Sequence, residues 1–243
     1  MSARFQELDW RHTSMGELVL RRRWDGTVGS EVYEVKLDDE YLMSSLFTVA
    51  EEAIAHRALE ELSGAGLDIA VGGLGLGYTA LAALRDERVG SLVVVDALAE
   101  VIEWHRRGLV PAGAELAADP RCTMLHGDFF TLLEQGSGLR PGATDNGTFD
   151  AVLVDIDHSP RHLLHPDHAG FYRAEGLGRL AAHLRPGGVF TLWSNDPPDD
   201  EFTGALTGCF AEAGAEVVRF PNPLQGREAT ATVYLARTHP RSE

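Results

Sequence analysis

A chain of 243 residues with 44% hydrophobic and 24% charged residues can bury a full core in one generous domain, or in a large domain with a small appendage. Its 21 basic residues face 37 acidic ones, a formal net charge of -16, which argues against nucleic acid or an anionic membrane as partner. No apolar run approaches the roughly 20 residues that cross a bilayer, and the residues around Arg4, Glu7 and Asp9 hold no signal-peptide core. Cys122 and Cys209 lack metal-ligand spacing and read as free thiols, so a cytoplasmic protein is expected.

Residues 17–37 predict a β-hairpin, with one strand from Leu18 to Trp24, a turn at Asp25-Gly26, and a second strand from Val32 to Leu37. Alternation puts Tyr33, Val35 and Leu37 on one face, and Glu34 and Lys36 on the other. The run Arg21-Arg22-Arg23 falls inside the first strand and reads as a solvated face. Thr48 and Glu51 form a capping box ahead of a helix whose Leu46, Val49, Ile54, Ala58 and Leu62 recur at helical spacing, and residues 63–66 stop it.

From residue 67 the pattern becomes strand–helix alternation. Short apolar runs at 67–71, 91–95, 122–125, 149–154 and 188–193 predict strands. Helices are predicted at 78–87, 98–108, 128–135, 169–184 and 200–213, and two closing strands at 216–220 and 229–236. Continuous runs such as Leu92–Val95 and Ala151–Val154 suit strands buried on both faces. The expectation is an α/β fold: a doubly wound, seven-stranded Rossmann-like sheet with an antiparallel edge strand. Residues 1–45 would form the N-terminal hairpin region and residues 46–243 the sheet domain.

Ligands of such sheets bind beyond the carboxyl ends of the strands, at the switch point. Four segments fall there. Gly72, Gly73, Gly75 and Gly77 make a glycine-rich strand-to-helix turn that lets a ligand approach the backbone. Asp96, with Ala97, follows at the offset of a ribose-binding carboxylate, and Asp96 can also cap the next helix. Asp128 can accept the amino proton of an adenine with Phe129 against the base, or can serve as an N-cap. Asp155, Asp157 and His158 crowd one strand end, which suits proton transfer or a cationic substrate. Together the four predict a nucleoside-binding site.

These residues resemble the class I S-adenosylmethionine-dependent methyltransferase fold and, within it, the spermidine synthase-like proteins. The resemblance runs from about residue 17 to 237 through the hairpin, Asp39-Glu40, the glycine turn, Asp96, Gly127-Asp128, Phe149-Asp150, Asp155, Phe171-Tyr172 and Leu184–Gly188. It implies that Asp96 holds the ribose, Asp128 the adenine, and that Asp155 is the acid/base and amine-binding carboxylate. It also implies a homodimer and a small-molecule acceptor, with polyamine precursors among the candidates.

Three positions depart from that family. Gly75 stands where aminopropyltransferases carry an aspartate for the ammonium of decarboxylated S-adenosylmethionine. Met43-Ser44-Ser45 replaces a Tyr-His-Glu-like stretch that helps hold a diamine. Asp157-His158 stands where one aspartate follows three residues after the first. These departures favour methyl transfer from intact S-adenosylmethionine, with Asp155 as base or counter-ion and Asp157 or His158 assisting. The alternatives are aminopropyl transfer from decarboxylated S-adenosylmethionine and a non-catalytic protein that keeps the nucleoside pocket. A dinucleotide oxidoreductase is more distant, because from Gly73 the third glycine of its motif would fall at Tyr78.

Two further features read as decoys. Asn195–Pro198 follows the fifth strand and lacks the aromatic residue of an amine-methyltransferase motif, so a turn on the rim is expected. His158, His162, His165 and His168 are interrupted by Pro160 and Pro166, which suits a lid better than a metal site. Trp104 and His105 read as packing and surface residues.

Overall fold

A computed structural model describes residues 5–135, 138–140 and 147–241. The hairpin is the centre of a four-stranded antiparallel sheet, ordered β1 (Phe5–Thr13), β2 (Gly16–Asp25), β3 (Ser30–Leu37) and β4 (Glu40–Ser44). Leu18, Leu20 and Val35 bury one face. The outer strands were missing from the periodicity because both are edges, held by backbone pairing to a neighbour, with only Leu8 of β1 and Leu42 and Met43 of β4 packed against the core. The turn spans residues 26–29, with the left-handed residue at Gly29 (φ 66°) rather than Gly26.

The arginine run of β2 is not a solvated face. Arg21 and Arg23 donate from Nε to Glu34 at 2.7 and 2.8 Å, and Glu34 is only 5% exposed. Arg22 reaches Glu31 and Gln6. The longest basic run of the chain is therefore spent inside its own sheet.

The second sheet has seven strands in the order β10-β11-β9-β8-β5-β6-β7. These are β5 (Leu67–Gly72), β6 (Val89–Asp96), β7 (Cys122–His126), β8 (Phe149–Val154), β9 (Leu184–Ser194), β10 (Glu212–Asn222) and β11 (Arg227–Arg237). Strands β7, β6, β5, β8 and β9 pair in parallel, and antiparallel pairing is confined to the other edge, where β11 lies between β9 and β10.

Helices α1 (Val49–Glu60), α2 (Tyr78–Leu84), α3 (Ala99–Arg106), α4 (Gly113–Ala118), α5 (Phe129–Glu134), α6 (Ala174–Ala182) and α7 (Asp200–Cys209) cover the two faces. Buried side chains form a large cluster on each face, one including Ile69, Val71, Leu92 and Trp104, the other Phe149, Phe171, Phe190 and Tyr234. Among the described residues, no helix is long and apolar enough to cross a membrane.

Two predicted helices are shorter than expected. The 169–184 segment splits into a 3-10 turn at Pro166–Gly170 and α6, because Gly176 packs onto the backbone of Gly170 and Phe171, where a Cβ would lie 2.4 Å from Gly170 O. Helix α7 ends at Cys209 because Phe210 turns extended to stack on Phe190, with ring centroids 6.1 Å apart.

The chain runs from β5 outward to β6 and β7, then returns to β8 on the other side of β5. The switch point therefore lies between β5 and β8. At the opposite end of these strands, Asp150 accepts from the Asp68 amide at 2.8 Å and pairs with Arg185, tying β5, β8 and β9 together away from the site.

Candidate active site

Two adjoining clefts open over the carboxyl ends of β5, β6 and β8. The first is lined by Gly73, Asp96, Ala97, Asp128, Phe129, Phe130, Asp155 and His168, with Met43 of β4 as part of its roof. The second is lined by Met43, Phe47, Glu51, Gly75, Tyr78, Asp155, His158 and Trp193, among others. Met43 and Asp155 belong to both.

The glycine turn brings these walls together. Gly73 has φ 92°, and a Cβ there would meet Asp155 O at 2.1 Å, so only glycine lets the ends of β5 and β8 come this close. Gly77 precedes α2 with φ 91° and faces His105 and Leu116. Gly73 lines the first cleft, and Gly75 and Gly77 the second. Gly72 lines neither; a Cβ there would press on the Phe129 ring at 2.9 Å, so it makes room for Phe129 instead.

Asp96 braces the same turn. Its Oδ2 accepts from the Leu74 amide at 2.9 Å and its Oδ1 from the Leu98 amide at 2.8 Å. Burial raises its pKa above the usual carboxylate value, and these backbone donors oppose the rise. Asp128 caps α5, its Oδ1 accepting from the Thr131 amide at 2.6 Å, while it also lines the first cleft. The cap and the cleft wall coexist in one side chain.

Asp155 lies at the junction of the clefts. Burial pushes its pKa up to about 6, against the pull of the Thr79 hydroxyl, which donates to Oδ2 at 2.9 Å. Its neighbour is Glu51, whose pKa is raised well above normal by burial first, then by the Asp155 and Glu52 charges. The capping box does not form: Thr48 makes no side-chain cap bond and instead donates to Glu52 Oε1 at 2.9 Å. Glu51 is thereby free to face the second cleft. The sequence supplied a signal for it, an acidic residue at the start of a helix, but a local cap already explained that signal.

Asp157 falls outside both clefts. It is 2% exposed and accepts from the Leu164 amide at 2.7 Å, His168 Nδ1 at 2.8 Å and the Tyr172 hydroxyl at 2.8 Å. The catalytic role expected of Asp157 would need a place in a cleft; its donors here all come from the segment that follows it, which the side chain ties together. His158 lines the second cleft, with its Nε2 3.3 Å from Glu40 Oε1.

The remaining histidines of the run take separate partners: His162 Nδ1 meets Asp196 Oδ2 at 2.8 Å, and His165 accepts from the Asp167 amide. Among the described residues, no three metal-ligating side chains converge. Asp196 also accepts from Ser159 at 2.6 Å, so the Asn195–Pro198 turn is a rim clamp, with Asn195 at the edge of the second cleft.

Trp104 is fully buried and donates from Nε1 to Asp9 Oδ2 at 2.7 Å. His105 is not a surface residue. It too is fully buried, its Nε2 lies 2.9 Å from Gly75 O, and burial lowers its pKa to about 4. The ring is therefore neutral and donates to the glycine turn from behind.

Over almost its whole length the fold is similar to that of solved spermidine synthases. The enzyme from Thermotoga maritima matches with a TM-score of 0.73 at 15% identity, over 97% of this chain and 74% of that one. A spermidine synthase in complex with the transition-state analogue AdoDATO gives the same score and identity, over 97% and 75%. A probable spermidine synthase from Corynebacterium glutamicum gives 0.63 at 16% identity, over 96% and 79%. No curated protein matches the chain by sequence. The family model for the spermine/spermidine synthase domain matches residues 48–200, a span that holds the glycine turn, Asp96, Asp128 and Asp155. The chain belongs to the spermine/spermidine synthase domain family.

Proposed function

We propose that the protein is an aminopropyltransferase that joins the aminopropyl group of decarboxylated S-adenosylmethionine to a small amine. Family membership favours this over the methyl transfer to which the Gly75 departure pointed. The observation that carries the reading is Asp155, a buried carboxyl shared by two clefts, with Glu51 beside it in the second.

The first cleft suits the nucleoside end of the donor. Asp96 Oδ2 takes the Leu74 and Gly75 amides, while Oδ1, bonded only to the Leu98 amide, keeps a lone pair to accept a ribose hydroxyl. Asp128 uses Oδ1 for its cap and has Oδ2 left for an exocyclic amine. Phe129 and Phe130 supply apolar surface for a base, and bare backbone at Gly73 leaves room beside the reacting centre.

The second cleft suits a cation, since its two acidic side chains lose their burial penalty when an ammonium arrives. Catalysis needs positioning and one proton transfer. Asp155, in its ionised form, takes the proton from the acceptor ammonium. The freed nitrogen forms the new C–N bond, the C–S bond breaks, and its electron pair returns to sulfur, releasing methylthioadenosine. His105 and Asp96 hold the turn against which the donor lies.

The test is release of methylthioadenosine from the decarboxylated donor across a panel of amines, beside methyl transfer from intact S-adenosylmethionine. Methyl transfer alone would overturn the reading.

A further inference from the structure

The second cleft has two unlike halves. Both acidic residues of its lining, Glu51 and Asp155, face the same cleft, and Thr79 Oγ1 lies 2.9 Å from Asp155 Oδ2 and 3.2 Å from the Glu51 main-chain carbonyl oxygen. The Glu51 carboxylate has no hydrogen-bond partner among the described residues. Two carboxyls that line one cleft, with the Asp155 charge raising the proton affinity of Glu51, cannot both ionise easily, and a proton or an ammonium between them relieves the repulsion.

The other half is aromatic. Phe47 and Phe220 stand 5.8 Å apart at 40°, with Trp193 beside them and Ala50 and Ala231 behind. Phe47 and Trp193 are half-buried, and this patch carries no acidic residue. Of the other carboxylates against the lining, Asp96 is taken up by the Leu74 and Gly75 amides, and Glu40 Oε1 lies 3.3 Å from His158 Nε2.

We propose that the acceptor is a monoamine with an apolar tail. Its ammonium lodges between Glu51 and Asp155, and its tail packs on Phe47, Trp193 and Phe220. This inference rests on the aminopropyl-transfer reading and narrows it. A second ammonium in a diamine would have to leave water against aromatic carbon without a counter-charge, whereas an alkyl or aryl tail gains from the same burial. Attraction to the ring faces offsets only part of that loss.

Three amines of similar length separate the possibilities: n-pentylamine, 2-phenylethylamine and 1,4-diaminobutane. Each is assayed for methylthioadenosine release from decarboxylated S-adenosylmethionine, with donor binding verified by calorimetry. One monoamine is expected to give a kcat/KM more than fivefold above that of the diamine, and Phe47→Ala to raise its KM about tenfold with little change in kcat. A ratio below fivefold, or an insensitive KM, overturns the monoamine assignment and leaves the transferase reading standing. No release with any amine, on protein that binds the donor, overturns the transferase reading itself.

Discussion

The Met43 sulfur lies 2.9 Å from the point that a Cβ on Gly75 would occupy. A thioether thus fills the space beside the glycine turn into which a side chain at 75 would project. Gly75 also has φ 49°, a left-handed conformation that aspartate tolerates better than most residues. Gly75→Asp alone should therefore perturb the turn and weaken donor binding. Combined with Met43→Ala, it should bind decarboxylated S-adenosylmethionine about tenfold tighter than the parent, since a hydrogen bond to a charged group contributes roughly 1.5–3 kcal/mol. Calorimetric titration of the single and double variants measures this, and a double variant no tighter than the parent refutes it.

The acid limb of activity should report Asp155. Its ionised form is the base, and its pKa is held at about 6, so kcat/KM should fall below that pH. The Thr79 hydroxyl stabilises the carboxylate. Thr79→Val should therefore move the limb upward by about half to one pH unit, the equivalent of one ordinary hydrogen bond. A pH–rate profile of both proteins checks the direction as well as the size.

Stability should show the same group with the opposite benefit. A carboxyl whose folded pKa is about 6, above its ordinary 3.8, stabilises the fold fully below about pH 4, and that contribution is lost as pH rises through about 6. Asp155→Asn removes the penalty of burying the charge. Its Tm should match the parent near pH 4 and exceed it by several degrees at pH 8, at about 2–4 °C per kcal/mol for a chain of this size. Transfer activity should be lost in the same variant. Differential scanning calorimetry from pH 4 to 8 without ligand tests the crossover.

Asp157 should behave as a positioning residue. Asp157→Ala leaves the Tyr172 hydroxyl, His168 and the Leu164 amide without their acceptor, a loss of about 3 kcal/mol and roughly a 10 °C fall in Tm. Asp157→Asn keeps the shape and part of the network, and its kcat at low temperature should stay within about threefold of the parent. A large kcat loss in a thermally intact Asp157→Asn would return the residue to the chemistry.

Much of the architecture was legible in the sequence for a physical reason. Strands such as β6 and β8 are buried on both faces, so their residues must be apolar in an unbroken run. The turn glycines, Asp96 and Asp128 were legible because a doubly wound sheet places its ligand at fixed strand ends, so strand count alone locates them. Strands β1 and β4 were not, since an edge strand is defined by the neighbour it pairs with.

The chemistry within the site was decided only by the tertiary structure. Asp155 and Asp157 are two residues apart and alike in sequence, yet one lines both clefts while the other is buried among Leu164, His168 and Tyr172. Glu51 satisfied a local capping pattern, and its burial beside Asp155 depends on Thr79 and β8, far along the chain. Periodicity records what each segment must bury for itself. A carboxyl's proton affinity depends on the water, charges and donors that distant segments leave around it, and those are set when the sheet closes.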